Sequence, residues 1–260
     1  INPIPVYVYQ ETNHIFLEKN SFDVGEEVII YLNNIKDNYN LEIMSPTNLY
    51  QYLGIPDSEL KFLPKTPGSY EIRIRDSYKT IEIGKQTWMA ENLNVDKFRN
   101  GDLIPEAKTN SEWKDASRNG TPAWCYYDYN PTYEEGYGKL YNWYAVNDPR
   151  GLAPEGWHVP SENDWKQLVQ FLGYDFNSRV NFSKVAPKLK AGRDWKKGKT
   201  DNSSGFSALP GGRNWNTGRC KLMKSEGHWW SSTEDNPTGA IAFKLSAYSN
   251  SFHMDADWKM

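Results

Sequence analysis

The chain has few of the residues from which catalytic, metal and disulfide sites are built. Its two cysteines, Cys125 and Cys220, are too few for a disulfide scaffold, and they leave open one bridge or two free buried thiols. Its four histidines show none of the spacings typical of zinc sites. A serine-hydrolase G-x-S-x-G motif and a phosphate-binding P-loop are both missing. We therefore expect neither a recognisable catalytic constellation nor a bound cofactor.

The chain also lacks a long apolar run and a strong positive charge, and these absences argue against a membrane and nucleic acid as partners. No apolar run approaches the roughly 18 residues of a membrane-spanning helix, so we expect no transmembrane segment in this chain. A formal charge of −3 argues against nucleic acid as a bulk electrostatic partner. The chain begins INPIP, without Met and without the apolar region of a signal peptide, so we interpret it as a fragment, a mature form or a trimmed form of a longer product.

Tryptophan is missing from the first 84 residues, although the chain has 11 of them. All lie at or beyond Trp88, where the sequence also becomes rich in Asn and Gly. This change of composition predicts two domains, residues 1–83 and 84–260.

The first domain is predicted to be an all-β immunoglobulin-like sandwich. Short β-branched or aromatic runs, several of them alternating apolar with polar, recur about every ten residues between turn residues. The predicted strands are Val6–Tyr9, Glu27–Leu32, Leu41–Met44, Leu60–Leu63, Tyr70–Ile74 and Tyr78–Ile83. The segment carries no cluster of reactive groups, so we interpret it as a spacer.

The second domain is predicted to be α+β with long loops. Ser161 and Asp164 form the start of a capping box. An apolar stripe follows, and Gly173 can end the helix. This pattern places Trp165 in the core rather than in a site. A weaker helix is predicted over residues 111–116.

Five ordered blocks of this domain resemble the bacterial family called the Fibrobacter succinogenes major paralogous domain. The blocks are Ile83–Val95, Tyr137–Val146, Pro154–Trp165, Ser204–Trp215 and Gly227–Thr233. The resemblance implies a C-type-lectin-like fold with two helices, a twisted antiparallel sheet and a long loop region. It also implies an exported or lipid-anchored protein of Bacteroidetes-type bacteria, located outside the cell or on the outer membrane surface.

The chain departs from the family pattern at two places. Family members commonly have a cysteine where this chain has Leu152–Pro154, and they end in a cysteine-containing strand where this chain ends at Met260. The resemblance implies that those two cysteines pair in relatives. The strand that closes the sheet is therefore either missing here or built differently.

Two segments, His158–Trp165 and Gly211–Trp215, are also similar to the formylglycine-generating enzymes, which share the same general fold. That resemblance implies a copper site made by two cysteines after the glycine pair. Here Cys220 is the one cysteine that follows, and Cys125 is distant in sequence. Because soft thiolates hold copper in pairs, one thiol predicts a poor site, and an enzyme of this class stays an alternative.

An acidic loop, a basic segment and two histidines each allow a structural interpretation as well as a functional one. Oxygen donors in one loop are candidate calcium ligands, but their order does not match a calcium motif, so a solvated loop is the default. These donors are Asp128, Asn130, Glu134 and Glu135. Seven Lys/Arg between Lys184 and Lys199 form either a solvated face or a surface for an anionic glycan. His158 and His228 are interpreted as hydrogen-bonded structural groups.

The candidate binding surface consists of aromatic residues in polar surroundings. Trp and Tyr supply rigid contact area for sugars or proteins, and neighbouring amides and charges bond hydroxyl groups. The predicted ligand-binding residues are Arg213, Asn214, Trp215, Asn216, Arg219, Tyr248, Asn250 and His253. The alternative for Trp215 is packing in the core, as expected for Trp229 and Trp230.

These patterns favour a noncatalytic, exported adhesion or binding protein that recognises a glycan or a protein. The alternatives are an enzyme acting on a glycan or protein, for which no convergent acid, base and nucleophile is seen, and a structural component of a surface or fimbria-like assembly.

Overall fold

The computed structural model describes residues 4–8, 15–17, 21–23, 25–32, 39–44, 49–53, 59–66, 68–76, 78–177 and 182–259. The chain divides into two units, Ile1–Tyr78 and Lys79–Met260. Each unit is considered by itself.

The first unit consists of strands. They are β1 (Ile4–Val8), β2 (Ile15–Leu17), β3 (Ser21–Phe22), β4 (Val28–Leu32), β5 (Tyr39–Met44), β6 (Leu49–Leu53), β7 (Glu59–Phe62) and β8 (Tyr70–Asp76). One sheet has the order β3-β1-β8-β5-β6 and the other β2-β4-β7. Pairing is antiparallel except between β1 and β8. Five of the predicted strands have counterparts here, although Tyr9 lies outside the described residues, and β2, β3 and β6 were not predicted.

Buried residues of the two sheets meet in this unit. The ring of Phe62 on β7 contacts the ring of Tyr70 on β8 edge to face, with centroids 5.4 Å apart. The hydroxyl of Tyr70 donates to the carbonyl oxygen of Thr66 at 2.9 Å. That bond satisfies the polar end of a side chain that is 1% exposed. The immunoglobulin-like assignment itself stays a prediction.

The sixth predicted strand, Tyr78–Ile83, falls in the second unit from Lys79 onward, five residues before the boundary expected from the sequence. Strand β9 (Thr80–Ile83) forms a hairpin with β10 (Gln86–Met89). Gly84 takes a positive φ of 68° in the turn between them. Ile83 and Trp88 are buried in the core of the second unit.

The rest of the second unit combines short helices with small antiparallel sheets. The strands are β11 (Trp124–Cys125), β12 (Leu140–Tyr141), β13 (Arg213–Asn214), β14 (Cys220–Lys221), β15 (Glu226–Asn236), β16 (Gly239–Ser246) and β17 (Phe252–Trp258). The helices are α1 (Asn110–Asn119), α2 (Glu134–Tyr137), α3 (Trp143–Val146), α4 (Glu162–Phe171) and α5 (Phe182–Leu189). Strands β15, β16 and β17 form one sheet. Strand β17 pairs with β16 in antiparallel fashion.

Helix α4 confirms the sequence prediction in detail. Ser161 and Asp164 form a full capping box. The predicted stripe, Trp165 included, is buried. The ring of Trp165 stacks on Phe243 of β16 at 4.4 Å, with 3° between the planes. Helix α1 extends the second predicted helix at both ends, because Thr109 caps its start and Gly120 its end. None of the described helices is long and apolar enough to cross a membrane.

Candidate functional site

An aromatic cleft of about 610 Å³ lies in the second unit. This volume falls within the roughly 300–1,000 Å³ of small-molecule sites. Six indole rings line the cleft: Trp88, Trp113, Trp157, Trp165, Trp229 and Trp230. Exposed residues such as Lys85 and His158 lie at its rim, whereas Trp88 and Trp165 are buried at its base.

The rings are fixed by hydrogen bonds and by packing on both sides of the sheet. Trp88 packs against Trp165, with ring centroids 4.9 Å apart. Trp229 Nε1 donates to Asn92 Oδ1 at 3.1 Å, and Trp230 Nε1 donates to the carbonyl oxygen of Tyr141 at 3.0 Å. Because Trp229 and Trp230 are consecutive on β15, their side chains point to opposite faces of the sheet.

Four of the lining side chains carry a buried polar atom without a hydrogen-bond partner among the described residues. These atoms are Trp113 Nε1, Trp165 Nε1, Asn214 Oδ1 and His228 Nδ1. Leaving such a group unpaired costs about 1–3 kcal/mol, so buried polar groups without partners are rare in native proteins. Two further such atoms, Ser117 Oγ and Trp143 Nε1, belong to residues that do not line the cleft, and all six atoms are buried.

Two charged residues of the cleft, Arg213 and Asp257, form an ion pair. Arg213 Nη1 and Nη2 donate to the two carboxylate oxygens of Asp257 at 2.6 and 2.9 Å. Lys244 Nζ lies 3.2 Å from the same carboxylate. Burial by itself would raise the pKa of Asp257, but the hydrogen bonds and charges of Arg213 and Lys244 outweigh it and hold the pKa below the ordinary value. Asp257 is therefore ionised at neutral pH.

Two histidines of the cleft are hydrogen-bonded, as their sequence interpretation requires. His228 Nε2 lies 2.8 Å from Glu226 Oε2, and the hydrogen bond to His228 lowers the pKa of Glu226. His158 Nε2 lies 3.3 Å from Asp164 Oδ2. Burial opposes ionisation of Asp164, but bonds from Ser161 and His158 lower its pKa. Both carboxylates are thus fixed in their charged form.

The predicted residues around Trp215 divide into two groups. Arg213 and Asn214 line the cleft, and Asn214 is buried. Trp215, Asn216 and Arg219 lie exposed on the hairpin that joins β13 and β14. Trp215 is 41% exposed, and the Arg213 guanidinium lies 4.6 Å from its ring centre. The alternative of a core position for Trp215 is therefore wrong.

The predicted residues around Tyr248 form a separate surface. Tyr248 is 66% exposed, His253 is exposed and Asn250 is half-buried. Tyr248 precedes β17, whereas Arg213 binds Asp257 near the other end of that strand. About 3.3 Å per strand residue separates the two ends. The structure therefore does not bring the two predicted segments into one surface.

The basic segment contains one residue that is not solvated. Lys190 is fully buried, and its Nζ donates to the carbonyl oxygens of Ser246 and Ser249, both at 2.7 Å. Desolvation lowers the pKa of Lys190 to about 8. Lys190 therefore links the basic segment to the turn that contains Tyr248 and has a structural role. Arg193 and Lys196 of the same segment are exposed.

The acidic loop has structural roles in this unit. Asn130 accepts from the backbone of Thr132, and Glu134 pairs with Lys139 at 3.7 Å. Asp128 is exposed and takes a positive φ of 51°, and Glu135 is exposed. Among the described residues, no group of three or more His, Cys, Asp and Glu side chains is placed to hold a metal ion.

The structure corrects the expectation that Cys220 has no partner thiol. Cys125 of β11 is buried, Cys220 of β14 is half-buried, and neither is in a disulfide. The interaction between the two thiols raises the pKa of Cys125 and lowers that of Cys220. Asn214 Nδ2 also donates to Cys125 Sγ at 3.3 Å and to the Tyr129 hydroxyl at 3.0 Å. The pairing of β13 with β14 produces this contact, and distance along the chain concealed it.

The cleft residues before residue 140 were not predicted as site residues. Trp88 and Asn92 lie in the block Ile83–Val95, and Lys139 lies in Tyr137–Val146. Both blocks carried the family resemblance, and their density of Trp, Tyr and Asn was the available signal. Lys139 Nζ lies 4.7 Å from the ring centre of Trp124 and donates to Asn94 Oδ1 at 2.6 Å.

The second unit is thus a mixed helix-and-strand domain with small antiparallel sheets and an aromatic cleft. Residues 81–256 match the model of the Fibrobacter succinogenes major domain. The chain belongs to that family, as the ordered sequence blocks predicted. No curated protein and no solved structure matches the chain.

Proposed function

We propose that the second unit binds a carbohydrate ligand in the aromatic cleft and that the protein is a noncatalytic binding or adhesion protein. The observation that carries the proposal is the presence, in one cleft, of six indole rings beside polar and charged side chains. A sugar supplies C–H faces that pack on aromatic rings, together with hydroxyl groups that donate to and accept from polar side chains.

The charged groups support binding rather than turnover. A general acid or base works best with a pKa near neutrality. The pKa values of Asp164 and Asp257 are both lowered, and each carboxylate already accepts hydrogen bonds from its own neighbours. These carboxylates hold the cleft in shape and leave recognition to the rings and to the other polar side chains of the lining.

The remaining parts of the chain fit a surface protein. We propose an immunoglobulin-like spacer for the first unit, supported by the hydrogen bond from Tyr70 to the backbone of Thr66, which is like the tyrosine corner of such domains. For the second unit we propose a C-type-lectin-like fold. An exported or lipid-anchored location rests on resemblance to the family.

The test is a glycan array followed by calorimetry on the full chain, with and without EDTA. We expect Trp157→Ala, which removes a half-buried ring of the cleft, to weaken binding by about tenfold or more. Loss of one ring contact of about 1.5 kcal/mol corresponds to that factor. Trp258→Ala is the matched control, because Trp258 is 63% exposed and does not line the cleft.

Two other results would overturn the assignment. If Trp215→Ala abolishes binding while Trp157→Ala leaves it intact, the exposed hairpin is the binding surface and the cleft is not. If no glycan binds, the carbohydrate proposal is wrong, and the alternatives of a protein ligand or a structural surface component take its place. Circular dichroism of each variant confirms that the fold is intact.

The contact between Cys125 and Cys220 favours a second candidate function. Paired soft thiolates are the ligands that suit Cu(I), so these two residues fit the copper-dependent alternative. A competition titration with a Cu(I) chelator tests it. Retained Cu(I) that is lost in Cys220→Ser, together with oxygen consumption, would support an enzyme, and absence of binding would reject it.

A further inference from the structure

The two thiols lie together although 94 residues separate them in the chain. Cys220 is the cross-strand neighbour of Asn214 in the β13–β14 pair. The side-chain amide of Asn214 reaches the sulfur of Cys125 at 3.3 Å. Cys220 therefore lies on the strand directly beside the residue that bonds Cys125. The two thiols interact, since each shifts the pKa of the other.

We propose that Cys125 and Cys220 form a reversible disulfide by exchange with a small-molecule disulfide, with Cys220 as the attacking thiol and Cys125 as the resolving thiol. The different surroundings of the two thiols support this division. Cys220 is partly accessible, whereas Cys125 is 0% exposed. A bulky reagent reaches Cys220 first.

The ionisation of the two thiols supports the same order. The hydrogen bond from Cys125 lowers the pKa of Cys220, and a backbone hydrogen bond at Asp128 acts in the same direction. Burial raises the pKa of Cys125 well above that of an ordinary thiol. Since the thiolate is the nucleophile, Cys220 is the reactive member of the pair.

The exchange takes place in two steps. The Cys220 thiolate attacks one sulfur of the small disulfide, forms a mixed disulfide and releases one thiolate. Cys125 then gives up its proton and attacks the Cys220 sulfur, which forms the Cys125–Cys220 bond and releases the second thiolate. The protein loses two electrons and two protons, and the small disulfide is reduced to two thiols.

The proposed bond would close a long loop that contains α4 and α5. A cross-link across a loop of this length restricts the unfolded chain strongly. We therefore expect oxidation to raise the thermal midpoint of the second unit. All 11 tryptophans lie at or beyond Trp88, so tryptophan fluorescence follows this unit selectively.

The test treats the reduced full chain with oxidised glutathione. Peptide mapping without reductant is expected to show Cys125 linked to Cys220, and dithiothreitol is expected to restore both thiols. Cys125→Ser should trap glutathione on Cys220. Cys220→Ser is the matched control, in which we expect buried Cys125 to stay unmodified while the chain is folded.

The rate of alkylation by iodoacetamide provides an independent measurement. In the wild type the rate at Cys220 should rise with pH around a midpoint below that of an ordinary thiol, and Cys125→Ala should move the midpoint upward because alanine has no hydrogen to donate. The proposal is overturned if glutathione treatment gives only linked dimers of the chain or no linkage. It is also overturned if Cys125 reacts as fast as Cys220 in the folded protein.

Discussion

The ion pair between Arg213 and Asp257 is the sharpest test of how the cleft is held together. Asp257→Asn keeps the shape of the side chain and removes its charge. The change leaves Arg213 without its bidentate partner and also weakens the contact of Lys244, which lies 3.2 Å away. Since Arg213 lies over the ring of Trp215, the change also loosens the base of the exposed hairpin.

The expected cost follows from the burial of the pair. The side chains of Arg213 and Asp257 are only 14% and 10% exposed. Net hydrogen bonds to charged groups contribute about 1.5–3 kcal/mol each, and removing one partner of a buried pair costs about 3–5 kcal/mol. An Asn can still accept one bond from Arg213, so we expect a loss of about 2–4 kcal/mol in the free energy of unfolding of the second unit.

Asp255→Asn is the matched control for this substitution. Asp255 lies 2.7 Å from Lys244, but its side chain is 61% exposed. An exposed ion pair contributes about 0–1 kcal/mol, so the control should fall within that range. Urea unfolding followed by tryptophan fluorescence measures both variants in the second unit.

The pH dependence of the free energy of unfolding tests the contribution of Asp257 independently. The pKa of folded Asp257 lies below its ordinary value of 3.8. Its contribution is therefore fully present above about pH 4 and is lost as the pH falls through the lowered pKa. The difference between wild type and Asp257→Asn should shrink in that acid range. Equal losses for Asp257→Asn and Asp255→Asn, or additive effects of Asp257→Asn and Arg213→Gln in a double-mutant cycle, would refute the reasoning.

Two further predictions concern framework residues. Ser161→Ala removes the hydroxyl that accepts from Asp164 N and donates to Asp164 Oδ2, and it should cost about 0.5–2 kcal/mol in urea unfolding; no measurable loss would show that the cap is not needed. The pKa of Lys190 is lowered to about 8 from 10.5, so between these values the unfolded chain binds more protons and the unfolding free energy should rise with pH. Lys190→Met should lack this rise, and an equal rise in both proteins would contradict the assignment.

Local sequence rules predicted the elements whose signals are local. Helix α4 follows from a capping residue, an apolar stripe at helical spacing and a terminal glycine, and all of these lie within 13 residues, 161–173. The regular strands of the first unit follow from the same kind of pattern. The exact boundary between the two units could not be predicted. The residues Thr80–Ile83 have the pattern of a strand, and that pattern is the same whether the partner strand comes from the first unit or the second. Only the pairing with β10 decides the matter.

The sequence left two positions open for Trp215, on the surface or in the core, and the structure places it on the surface. Trp215 and Trp230 have similar polar neighbours in sequence, yet Trp215 is exposed and Trp230 packs against a buried cluster. The difference comes from the elements that carry them. Trp215 lies in the connection of a two-stranded hairpin, whereas Trp230 pairs with Ala242 of β16 in the central part of β15.

The cleft is a tertiary property, and this explains why it was missed. Its lining comes from β10, from the loop that contains Asn92, from α4, from the β13 strand and from the β15–β17 sheet. In this loop-rich unit, side-chain hydrogen bonds take over part of the role that strand pairing has elsewhere, as when Asn92 accepts from Trp229 across 137 residues of sequence. Each such bond satisfies one buried polar atom. Six described residues keep an unpartnered buried polar atom; Trp113, Trp165, Asn214 and His228 line the cleft, whereas Ser117 and Trp143 do not. Since such atoms occur on both sides of that division, the proposal of a ligand site rests on the aromatic lining of the cleft and not on these atoms.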